Sequence, residues 1–488
     1  MQRRKFLELS SIASLFILTG CGGGENTPSN GSMGPRGGMG PGGGMGNTGD
    51  DNSPTPTSTK ALPIPQALRG TQFNLQIQQA QHEFFDGLST STYGINSTYL
   101  GPTLFLRNGS NVSINYTNTL NENVSIHGHG MHLPPSMDGS AHQEMSPGGS
   151  WSAQYTVNQK ACTNWYHSHT LHQTGSQTYK GIGGLIIIED AQSDALNLPK
   201  RYGEDDIPLV LQDRRFNSNA EMNYSPNMRA VAHGYIGDTF IVNGAINPTF
   251  EAEAKEIRFR ILNGANSTVY QLGFSDGRSF KQIATDNSFL EAPVTMTTLR
   301  LSPGERAEII VDLSGALGNT FELREFNNNK TFMNINVSKA PKSTTSVPSR
   351  LTTLDKLNAS TSSRTRSFTL EGRMGTFMIN GKAMDINRID ENVSLNDVEI
   401  WEVYNSMPID HNFHIHATHF EILDRNGDTS AVGANERGYK DTVFVPARQR
   451  VRFLVKMTDY TDATVPYMYH CHFLEHEDAG MMGQFLVT

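Results

Sequence analysis

Strand-like residues dominate the body of this chain, and long amphipathic helical patterns are scarce. Three segments share one layout. Gly109 to Ile126 is a strand-rich run that leads into His127-Gly128-His129. Glu253 to Tyr270, with Ile257-Arg258-Phe259-Arg260-Ile261-Leu262-Asn263 inside it, leads into Gln271-Leu272-Gly273. Asn392 to Ile409, with Trp401-Glu402-Val403-Tyr404-Asn405, leads into His411 to His416. A second landmark occurs twice: Tyr166-His167-Ser168-His169 and Tyr469-His470-Cys471-His472, each followed by glycines and an apolar strand. Short strands between Gly, Asn and Pro turns predict an all-β chain of Greek-key sandwiches, one domain present three times. The expected spans are 62–200, 201–345 and 360–488. Histidine motifs stand only in the first and third copies, so the middle copy reads as a spacer and a joint site belongs where the outer two meet.

Composition narrows the class. The 488 residues fit about three domains. A net charge of −9 with 18% charged residues excludes a nucleic-acid binder held by a basic face. Three cysteines, Cys21, Cys162 and Cys471, are too few for a disulfide framework. Residues 1–20 read as an export signal: Arg3 and Arg4 open a twin-arginine-like string, and the apolar stretch Ile12 to Leu18 is too short to span a membrane. Leu18-Thr19-Gly20-Cys21 resembles a bacterial lipoprotein cleavage box, which implies lipidation of Cys21 and a place at the cell envelope or periplasm, with the lipid as the only membrane contact. Residues 21–61 are a linker too poor in apolar residues to fold. It carries Met33, Met39 and Met45, whose soft thioethers suit Cu(I).

Histidines at i and i+2 of a strand face the same side, so one strand can serve two adjacent metals. Four such pairs occur: His127/His129, His167/His169, His414/His416 and His470/His472. With His411 and His476, ten of the sixteen histidines fall in four short motifs. That exceeds what one closed zinc site needs. Cys471, with His476 five residues on, Met481 five further, and His411, makes the two-imidazole, thiolate and weak thioether set of a blue-copper site.

These residues resemble the multicopper oxidases over about residues 65–488, and His470 to Met482 is similar to the bacterial copper-efflux oxidases. The resemblance implies three cupredoxin-like Greek-key β-sandwich domains and four copper ions. Type 1 copper would take His411, Cys471, His476 and Met481. Type 2 would take His127 and His414, and the type 3 pair His129, His167, His169, His416, His470 and His472. It also implies proton roles for Asp138 and Glu477. The partners would be dioxygen and a small reductant, a phenol or Cu(I), in an enzyme of copper tolerance. Asn412 departs from the family's usual proline and Gly128 from its tryptophan; neither is a ligand, so the geometry should survive.

Within the enzymes the alternative is a laccase-like phenol oxidase with no cuprous role. The methionine-rich insert of the copper-efflux oxidases is missing from residues 340–400, which should leave His411 and His476 open to bulky organic donors. Met407 and Asp410 are candidate substrate residues for Cu(I) or a phenol proton. A copper nitrite reductase would not need eight paired histidines. A copper-binding envelope lipoprotein or scaffold needs no filled ligand set, yet here every position is filled. The remaining histidines, His82, His132, His142, His172, His233 and His419, read as structural or surface residues, with His132 and His172 near enough to support the ligands from behind.

Overall fold

The computed structural model of the protein describes Pro54 and residues 60–488 other than Met374, with the backbone alone of Arg373. Arg3, Arg4, Ile12 to Leu18, Cys21, Met33, Met39 and Met45 lie outside the described residues. Among the described residues the strands form six sheets, two in each third of the chain, and the few helices are short. The alternation of the strand Gln72–Phe85 shows why the sheets pair face to face. Phe73, Leu75 and Ile77 point inward against Leu104, Leu106, Tyr166 and Ile186 of the facing sheet, while their neighbours stay exposed. Both outer domains mix parallel and antiparallel pairing, as sequence-distant strands become neighbours.

The strand Glu256–Asn263 lies between Asp206–Arg214 and Arg306–Asp312 and is covered on both faces. Its arginines are therefore buried, and each is paired. The Arg258 Nε donates to Glu308 Oε2 at 2.9 Å, and Arg260 reaches Asp206 at 2.7 Å and Glu308 at 2.9 Å. Thr163 of the first domain joins the same cluster, donating to Glu308 at 2.7 Å. The Thr163 hydroxyl, bonded to both Glu308 and Arg260, thus ties the first domain to a charge cluster of the second.

Two strand pairs set up the functional site. Ile126–His129 runs antiparallel to Cys162–Ser168 with His127 opposite His167, and His411–Ile415 runs antiparallel to Asp462–His470 with His414 opposite His470. Register alone places histidines side by side in each domain. The turn at Gly139 (φ +72°) then brings the chain back so tightly that a Cβ there would lie 1.7 Å from the Ile126 carbonyl oxygen, and this return delivers Asp138 to the histidines.

Candidate metal centre

Ten histidines and Cys471 collect in two adjoining buried groups. In the first, His411 Nδ1 and His476 Nδ1 are 3.0 Å apart, and Cys471 Sγ is 3.4 and 3.8 Å from them. Met481 is fully buried beside them. Its amide donates to the His476 carbonyl at 2.9 Å, and its carbonyl accepts from the Cys471 amide at 3.1 Å. Burial pushes the Cys471 thiol up to about 12, so a thiolate here needs a cation for company.

The second group joins the outer domains. His470 Nε2 lies 3.2 Å from His169 Nε2 and 3.1 Å from His416 Nε2. His129 Nδ1 lies 3.4 Å from His167 Nε2, with the His472 ring 4.9 and 5.2 Å from theirs. His127 and His414 complete the ring of eight. The far nitrogens are anchored. His127 Nδ1 donates to the Asp138 carbonyl at 2.9 Å, His414 Nδ1 to the Asp441 carbonyl at 2.9 Å and His167 Nδ1 to the Ser168 carbonyl at 2.7 Å. That leaves His127 Nε2 and His414 Nε2, and both ring nitrogens of His472, buried with no hydrogen-bond partner. Burial also brings His169 and His411 down to about 3 and His414 to about 4, which keeps these three imidazoles neutral. Neutral, convergent imidazoles with unused lone pairs and a buried thiol fit copper and leave no other use for those nitrogens.

Carboxylates sit directly behind the imidazoles. Asp138 Oδ2 is 2.8 Å from His416 Nδ1, and Glu477 Oε2 is 3.1 Å from His470 Nδ1 and its Oε1 3.7 Å from His169. Burial would raise both acids, but the imidazoles around them outweigh it and hold both well below the usual range. Reading the sequence missed a third such acid. Asp441 Oδ1 accepts from His129 Nε2 at 2.9 Å, and its other oxygen meets the Arg306 guanidinium at 2.6 Å. It belongs to no histidine motif, so nothing marks it until the fold is formed.

The middle domain is more than a spacer. Gly304 (φ +84°) packs so closely that a Cβ would lie 3.1 Å from His472 and 3.2 Å from His129. Asn412 is not passive either. It donates to the Pro303 carbonyl at 2.8 Å and accepts the His472 amide at 2.6 Å, so it ties the two metal groups to the middle domain. Gly128 leaves room that Met131 and Leu133 fill.

The open edge expected at His411 and His476 is absent: both are fully buried. A segment of the middle domain supplies the cover. Its helix Met228–His233 is capped by Asn227, and Val231 packs against the third-domain core. Tyr224 Oη and the Tyr235 amide bind the Glu475 carboxylate at 3.0 and 3.1 Å, pinning both ends of the segment. Phe377 stacks on His476 at 4.1 Å. Of the two substrate candidates, Met407 Sδ lies 3.2 Å from His411 Nε2, whereas the exposed Asp410 accepts the Ala447 amide at 2.9 Å and makes no hydrogen bond or ion pair with the histidines. Among the other histidines, His82 binds the Gly244 carbonyl, His142 Gln484 and His172 the Asp478 carbonyl, while His233 is exposed and His132 meets His419.

Family models described as multicopper oxidase match residues 76–193, 197–340 and 346–488. The chain is 36% identical over 420 residues to the multicopper oxidase mco of Staphylococcus haemolyticus, covering 85% of this chain and 88% of the relative. It is 37% identical over 447 residues to the cell division protein FtsP of Sodalis glossinidius, covering 88% and 92%. Among solved structures, a bacterial laccase-like multicopper oxidase CueO from the lignin-degrading Ochrobactrum sp., with oxidase activity towards lignin model compounds and lignosulfonate, superposes with a TM-score of 0.82. It shares 34% identity over 88% of this chain and 100% of that one.

Proposed function

This chain belongs to the multicopper oxidase family, and from that membership we propose that it couples one-electron oxidation of a small reductant to the four-electron, four-proton reduction of dioxygen to two waters. It is a copper-dependent oxidoreductase of three cupredoxin-like domains, which we delimit as 62–200, 201–345 and 360–488. Four coppers would be held: one by His411, Cys471, His476 and Met481; one by His127 and His414; and a pair by His129, His167, His169, His416, His470 and His472. Bound copper supplies one-electron redox chemistry at the first set and electron delivery to dioxygen at the second. The observation that carries this reading is the set of buried imidazole nitrogens with no partner of their own.

The chain's residues divide the remaining work. Cys471 lies between His470 and His472, so its main chain is a short covalent route from one set to the other. Asp138 holds the Nδ1 side of His416, Glu477 lies 3.1 Å from His470 Nδ1, and both stand ready to pass protons towards the oxygen site. Met407, with sulfur against His411 Nε2, is a soft contact for Cu(I), and Asp410 would take part only from the surface. We read both Cu(I) and phenols as reductants, with a role in copper tolerance. The buried histidine edge favours the small ion, and the likeness to a laccase-like enzyme favours phenols.

A second reading, a division-related envelope protein without catalysis, draws on the FtsP relatives. Oxygen uptake by the purified, copper-loaded chain separates the two. Uptake with a phenol or Cu(I) that vanishes, together with the blue absorption, in Cys471→Ser supports the oxidase; no uptake with either reductant sinks it. Export and a lipid on Cys21 complete the proposal; mass analysis of the mature N-terminus tests them, and an unlipidated protein refutes the anchor.

A further inference from the structure

We propose that His132 and His419 form an additional divalent-metal site, outside the two sets above, at the seam of the first and third domains. His132 Nε2 and His419 Nδ1 face each other at 3.2 Å, with ring centroids 5.1 Å apart. Two pairs inside the candidate copper centre have the same spacing, though their rings are crossed at 73° and 85° where the His132 and His419 rings lie within 18° of parallel: His416–His470 at 3.1 Å with centroids 5.2 Å apart, and His169–His470 at 3.2 Å with centroids 5.0 Å apart. Two imidazole nitrogens at this spacing, each about 2.0–2.1 Å from a shared ion, subtend about 100–106° at it, close to tetrahedral.

The surroundings set the donor atoms. Asp459 accepts from His132 Nδ1 at 3.1 Å, from Thr458 Oγ1 at 2.9 Å and from Asn158 Nδ2 at 2.6 Å. A carboxylate held this way fixes the proton of His132 on Nδ1 and leaves the Nε2 lone pair aimed at His419. His419 in turn is stacked on the Tyr439 ring at 3.9 Å, which fixes its plane. The pair opens onto a cavity of about 370 Å³ lined also by Lys160 and Asp355, so two coordination positions remain for water or a small anion. Lys160 is already engaged, donating to the Thr353 carbonyl at 3.0 Å with Asp355 3.7 Å away, so its charge is partly met. A tetrahedral angle and open positions suit Zn(II), and the two imidazole nitrogens would also take Cu(II) if the open positions let it flatten. The ion would clamp together the two domains that share the oxygen site.

The copper-loaded full chain, dialysed against micromolar Zn(II), tests this by metal analysis and thermal melting. One equivalent of zinc per chain beyond the copper, and a melting temperature that rises with zinc, are expected. Both should be lost in His419→Gln and in His132→Gln, with the copper content and blue absorption retained. Asp459→Asn should weaken zinc binding about 10–100-fold while keeping the fold, and it decides the matter alone if a glutamine variant loses its blue absorption. An extra equivalent of Cu(II), with its own paramagnetic signal lost in the same variants, supports the site as a copper site. Binding of neither ion overturns the proposal and leaves a proton between the two rings; so does equal binding by wild type and variants.

Discussion

Asp138 shows how one residue serves two histidines. Its carbonyl holds His127 and its carboxylate holds His416, and it has no exposure to solvent. Asparagine keeps the shape and the carbonyl contact but cannot carry a proton. Asp138→Asn should therefore slow dioxygen reduction by about 10²–10⁴-fold and leave reduction of the blue site by substrate nearly unchanged. Stopped-flow measurement of the two half-reactions separates these, and equal slowing of both would assign Asp138 a purely structural role. Asn412 works by similar economy: one amide group holds His472 and Pro303 together, although a comparison of residue types marks it only as a departure from proline.

Among the elements, the segment over His411 and His476 would control access to the proposed blue-copper set. The helix Met228–His233 is too short to be stable alone, and the Glu475 carboxylate holds both ends of its loop. Replacing residues 226–234 with a short glycine–serine turn should uncover His476 and raise kcat/KM for bulky phenols several-fold without moving the blue absorption. A steady-state comparison of a bulky phenol with Cu(I) checks this, and a fall for both would show that the segment builds the donor site and does not cover it. The strand Glu256–Asn263 carries a different consequence. Burial would raise Glu308 from its ordinary 4.5, but the guanidiniums of Arg258 and Arg260 outweigh burial and bring it down to about 2. A carboxylate depressed by folding contributes stability that is complete above about 4.5 and is lost as the pH falls towards about 2. Wild type should lose stability across that window, and Glu308→Gln should start lower at neutral pH and show a flatter acid limb in denaturation series. An unchanged acid limb would mean that other carboxylates set it.

At the scale of the whole molecule, Arg306 is a point where all three domains meet. From the middle domain it donates to the Thr163 carbonyl at 2.9 Å and Asn164 Oδ1 at 2.6 Å in the first, and reaches Asp441 at 2.6 Å in the third. Burial would raise Asp441, but the Arg306 charge, with His129, holds it far down. Removing one partner of a fully buried pair leaves the other charge uncompensated. Arg306→Met should cost about 3–5 kcal/mol and lower occupancy at His129 and His414, whose far nitrogens rest on Asp441. Urea denaturation and copper content measure the two effects, and a variant of wild-type stability would show that Asp441 finds another partner.

Residue type and short-range spacing carried the candidate ligands and the broad fold. Ligand identity lies in residue type and i, i+2 spacing, which a strand converts directly into shared facing, and threefold repetition implies three like domains. The paired histidines, His411 and the Cys471–Met481 stretch were legible for that reason, since short-range periodicity survives any arrangement of the domains. Tertiary structure decided whatever depends on residues far apart in the chain. Asp441 reaches His129 across 312 positions, Tyr224 reaches Glu475 across 251, and His132 meets His419 across 287. The missing third-domain insert suggested an open blue site, yet the cover came from a middle-domain loop whose local pattern carries no sign of what it packs against. Contacts of that kind arise from packing whole domains, and no local spacing encodes them.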